Sequence, residues 1–74
     1  MAYYIHIPKT LKTYTRNAEN AHDALMKIAN QYHWTHDATH ICGEKYSEIY
    51  FRTKTSGRFI AIAITDPRHL EYAW

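Results

Sequence analysis

The sequence predicts a small α+β domain in the order β-β-α-β-β, an antiparallel sheet with one helix packed on one face. Three observations carry that expectation. A bulky alternation opens the chain, one amphipathic stretch lies near its middle, and residues 47–64 alternate on both sides of Ser56-Gly57. The 74 residues allow a single compact domain over 1–74, with a core close to the lower limit for independent folding.

Taken in order, residues 3–7 read as a first strand, with Tyr3, Ile5 and Ile7 on one face and Tyr4 and His6 on the other, stopped by Pro8. Residues 11–18 read as a second strand, with Lys12, Tyr14 and Arg16 lining one side. Asn20 is a good N-cap, and Asp23 three residues later suits a helix N-terminus. Ala21, Leu25, Ile28 and Tyr32 then recur at helical spacing, flanked by Ala24 and Ala29, which predicts a helix over about 21–33. Residues 34–45 show no clean period and contain Gly43, so they are expected to be a loop. A tight turn at Ser56-Gly57 would pair Phe51 with Ile62 and Ile49 with Ile64. It would set Ile49, Phe51, Thr53, Ile60, Ile62 and Ile64 on the core face, and Tyr50, Arg52, Lys54, Phe59, Ala61 and Ala63 outside. The expected core is therefore Ala21, Leu25, Ile28, Ile49, Phe51, Ile60, Ile62 and Ile64, helped by Ile5 and Ile7. Asp66-Pro67 should end the last strand, and Leu70, Tyr72 and Trp74 make the tail apolar enough to dock on something.

Composition narrows the function classes. The chain is 46% hydrophobic and 22% charged, an ordered globular profile. The lone cysteine, Cys42, rules out an intramolecular disulfide and fits a reducing compartment. With no apolar run of spanning length and no secretion-signal pattern at the start, the expected location is cytoplasmic, away from membranes. A formal charge of +2 is far below that of a DNA-coating protein. Seven tyrosines and two tryptophans instead supply the amphipathic area typical of binding surfaces.

Catalytic equipment is sparse, and no catalytic residue is assigned. Cys42 with His40 or His33 could form a thiolate pair, but such chemistry needs a cleft and an oxyanion site, and a free cysteine is more often a small buried hydrophobe. His33, His36, His40 and Cys42 are natural zinc ligands. All four come from one stretch, which gains little from being pinned, and a solvated histidine-rich loop is the preferred reading. No metal or cofactor is expected. With two glycines in all, a phosphate-binding glycine loop is excluded. Residues 45–51 lack the glycines and aromatic spacing of an RNA-recognition strand, and no family is assigned.

The remaining feature is a sheet face mixing aromatic and cationic groups: Tyr50, Arg52, Lys54 and Phe59, extended by Tyr14 and Arg16 if both hairpins share one sheet. It is the expected partner-binding surface. The sequence thus points to a non-enzymatic protein that occupies a surface of a larger protein or nucleoprotein partner. By analogy of size and architecture alone, phage and mobile-element accessory inhibitors of the anti-CRISPR type act this way. The alternative is a small RNA- or single-stranded-DNA-binding module that stacks bases on the same face. A homodimer is a further expectation, since an open sheet edge and the Tyr72/Trp74 tail both want cover.

Overall fold

The computed structural model describes residues 1–65 of the chain. Five strands and one helix follow as β1 (Ala2–Ile7), β2 (Lys12–Asn17), α1 (Ala21–Tyr32), β3 (Thr35–Cys42), β4 (Tyr46–Thr53) and β5 (Gly57–Ile64). They build one fully antiparallel sheet in the order β2-β1-β5-β4-β3. The helix covers one face, chiefly over β4 and β5. The expected α+β class and the place of the helix hold, with one more strand than the sequence predicts. Asp66-Pro67 and the Leu70/Tyr72/Trp74 tail lie outside the described residues.

The extra strand is β3, which replaces the expected loop. Its alternation is broken twice, by register shifts between His36 and Ala38 and between Thr39 and Ile41. Each irregularity moves the following side chains to the other face, so no period of two survives in the sequence. The strand is also an edge and almost wholly exposed, which removes the hydrophobic signal as well.

The second correction concerns β5. Thr53 pairs with Gly57, leaving Lys54, Thr55 and Ser56 as a three-residue turn, and Gly57 takes a left-handed φ of 69°. Such a turn ends in a left-handed residue that glycine adopts without strain. The Ser56 N–H donates to Thr53 Oγ1 at 2.9 Å and closes it. Phe51 consequently faces Phe59 and Ile49 faces Ala61, three places from the two-residue register. An odd shift inverts a strand's faces. Phe59, Ala61 and Ala63 are buried in the core, whereas Ile60 and Ile62 are half-buried on the opposite side. Ile64 is buried but falls outside the main core cluster.

The rest of the core follows the expected pattern: Tyr3, Ile5 and Ile7 of β1, Ile49 and Phe51 of β4, and Ala21, Ala24, Leu25, Ile28 and Ala29 of α1. Asn20 caps the helix by accepting from the Asp23 N–H at 2.8 Å. His33 ends it in the left-handed region at φ 59°, and the Trp34 N–H turns back to the Ala29 carbonyl at 2.9 Å. That reversal drops Trp34 onto Phe51 and Phe59, with centroids 5.5 and 4.9 Å away. Between β3 and β4, the Glu44 carbonyl accepts from the Tyr3 hydroxyl and from the Ala21 N–H, each at 2.8 Å. A Cβ on neighbouring Gly43 would stand 2.9 Å from the Tyr46 carbonyl oxygen, so the loop needs glycine there.

His6 is buried on the sheet face away from the helix, and burial lowers its imidazole pKa from the usual 6.5. The unfolded chain therefore takes up this proton first as pH falls. The His6 contribution to stability is complete above about 6.5 and declines as pH drops through that value toward the folded pKa. Denaturant melts at pH 7.5 and 5.5 should show lower stability in acid, with a smaller drop in His6→Asn. Equal drops in both proteins would remove His6 as the cause.

Candidate functional site

The ladder divides the expected binding residues between two surfaces. Ile5 pairs with Tyr14 and Tyr3 with Arg16, so Tyr14 and Arg16 share the helix face with the β1 core residues. Arg16 donates to the Gln31 side chain on α1 and to the Thr15 carbonyl. Phe59, expected outside, is only 7% exposed and belongs to the core. Lys54 is exposed in the β4–β5 turn. Tyr50 and Arg52 alone of the six lie on the open face, because their neighbours Ile49 and Phe51 point to the helix.

A group that sequence reasoning missed completes this open face. Arg52 pairs directly with Arg58 across β4 and β5, a placement in which like charges repel. The β3 bulge resolves it by turning Asp37 toward both. Its carboxylate lies 2.6 Å from Arg58 Nε and 3.4 Å from Arg52 Nη2. Arg58 also sits over the Tyr50 ring, 4.2 Å from its centroid, within cation–π range. The His40 ring approaches Tyr50 edge-on at 6.2 Å. Further along β4, Tyr46 donates to Glu48; burial first, then that bond and the Glu48 charge, push the phenol up to about 12, so it remains a donor at neutral pH. Half-buried Tyr4, Ile60 and Ile62 fill the middle of the face. Arg58 could have been found only from the three-residue turn, and Asp37 only from the bulge.

The helix side carries a second feature. Tyr14, Tyr32, Trp34 and Phe59 gather at the C-terminal end of α1. Tyr32 lies 5.5 Å from Tyr14 and stacks on Trp34 at 5.9 Å. With Ile7, Thr10, Lys12 and Ser56 they line a cleft of ≈ 150 Å³.

The zinc candidates are dispersed. His33 caps the helix, His36 bonds Thr39 beside Phe51, His40 leans on Tyr50, and Cys42 is exposed opposite Ser47. Among the described residues no three His, Cys, Asp or Glu side chains are grouped to hold a metal ion. No helix among the described residues is long and apolar enough to cross a membrane. Comparison of the chain with protein-family models, curated proteins and solved structures returned no match.

Proposed function

We propose that the chain is a non-enzymatic binding protein that acts by occupying a surface of a larger protein or nucleoprotein partner through the open face of its sheet. One observation carries this reading: Tyr50, Arg58 and Arg52 form a contiguous group whose carboxylate, Asp37, is supplied from within. Tyrosine and arginine dominate interface energetics because each joins broad contact area to a directed polar group. Asp37 pre-orients both guanidinium groups, which lowers the entropy lost on docking. Half-buried Ile60 and Ile62 adjoin them, the apolar centre and polar rim usual for a protein interface. The same carboxylate offsets one of the two cationic charges, which argues against phosphate as the main target on this face. A second copy of the chain, the other expected partner, would find an uninterrupted edge ladder only along β2, since β3 is bulged twice.

The test is a pull-down from the native cell, comparing wild type with Tyr50→Ala/Arg52→Ala. The double variant should melt like wild type and bind the captured partner about 2–4 kcal/mol more weakly. Equal binding by the folded variant would overturn the reading. So would a captured partner that the double variant no longer holds, that nuclease removes and whose binding weakens steeply with salt.

A further inference from the structure

We propose that the aromatic cleft on the helix side is a second, separate binding site, and that its ligand is a pyrimidine nucleotide. Its walls are the rings of Tyr14, Tyr32, Trp34 and Phe59, and its ≈ 150 Å³ matches an apolar cavity that accepts a single aromatic ring. Tyr32 is 44% exposed, so its ring is available to a ligand. Charge decides what kind of ring enters. Among the described residues, Lys12 lines the cleft and no carboxylate does. An aromatic cage for an ammonium ligand would be opposed by that lysine, whereas a phosphate attached to the ring is attracted to it. Thr10 and Ser56, both hydroxyl-bearing residues, are also in the lining and suit a ring edge that carries hydrogen-bonding groups, as a nucleobase does and a phenyl does not. Lys9 Nζ donates to the Ser56 carbonyl and brings a second cation to this end of the cleft.

Two chain reversals deliver residues to the cleft. Leu11 and His33, the two non-glycine residues with positive φ among those described, are both at 59°. Leu11 stands between Thr10 and Lys12, and His33 between Tyr32 and Trp34, all four of them cleft residues. Leu11 closes the β1–β2 turn, its N–H donating to the Ile7 carbonyl at 2.8 Å, and His33 ends the helix.

The full chain is titrated with uridine monophosphate and with hexauridylate while the Trp34 indole N–H resonance is followed, assigned with Trp74→Phe. Saturable movement of that resonance is expected, with inorganic phosphate alone leaving it unmoved. Lys12→Glu and Tyr32→Ala, both at exposed positions, should each weaken binding about tenfold. Lys45→Glu, the same charge change away from the cleft, and Tyr50→Ala/Arg52→Ala should bind as wild type. Equal affinity per site for the two ligands identifies the free nucleotide as the source. Much tighter, salt-sensitive binding of the hexamer identifies a single strand. A Trp34 resonance unmoved by either ligand at millimolar concentration would overturn the proposal. Wild-type affinity in a folded Lys12→Glu protein would overturn it equally.

Discussion

Phe51→Ala is expected to remove about 3–5 kcal/mol of folding stability, out of a total on the order of 4–11 kcal/mol for a domain of this length. The ring is fully buried where β4 passes under the helix. Three rings surround it, with Trp34, His36 and Phe59 centroids at 5.5, 6.2 and 6.3 Å. Truncation leaves a cavity that three aromatic rings cannot close together, so the loss adds a cavity cost to the lost transfer energy. Arg52→Ala, one residue away on the open face, gives up only an exposed ion pair of about 0–1 kcal/mol. Urea melts of the two variants should rank them in that order. The reverse ranking would mean that the two faces of β4 are exchanged.

Phe59→Ala should cost a similar amount, about 3–5 kcal/mol. Ile60→Thr, its neighbour, should cost roughly 1 kcal/mol because the side chain is only half-buried. This pair tests the β4–β5 register directly. The three-residue turn sends Phe59 inward, where Trp34 meets it edge-on at 4.9 Å, a contact worth about 0.5–1.5 kcal/mol beyond burial. A two-residue turn would send Ile60 inward instead. Melts in which Ile60→Thr proves the more damaging would restore the shorter turn and move Arg58 off the binding face.

Much of the fold was legible in the chain. Asn20 and the spacing of Ala21, Leu25 and Ile28 placed the helix nearly to the residue. The alternation of β1 and the inward side of β4 were also correct, since both strands carry large residues on one face and polar ones on the other. The error in β5 has a physical origin. Its sequence alternates isoleucine with alanine, and hydrophobicity favours the isoleucines for the core. Helix packing favours the alanines: Ala61 and Ala63 are fully buried, as are Ala21 and Ala24 of the helix above the sheet. Close approach of a helix to a sheet rewards small side chains, a preference that no single strand displays. The candidate site inherited this error. Phe59 was expected where Arg58 stands, while Tyr14 and Arg16 joined the helix side because the β1–β2 register sets them opposite the core residues Ile5 and Tyr3. Asp37 was invisible for a different reason: its position depends on a bulge, and bulges erase the periodicity by which strands are read.

The carbonyl of Glu44 unites parts of the chain that are far apart in sequence. The Tyr3 hydroxyl reaches it across 41 positions, and the amide that begins the helix meets the same oxygen. The first residue of a helix is ordinarily the first to fray, because its N–H has no partner within the helix. Here that amide is satisfied only after the β3–β4 turn has closed. With β1 zipped between β2 and β5, neither hairpin completes the sheet without the other. The start of the helix, the first strand and the turn before β4 therefore belong to one cooperative unit, and opening at the helix N-terminus is tied to global unfolding rather than to local breathing.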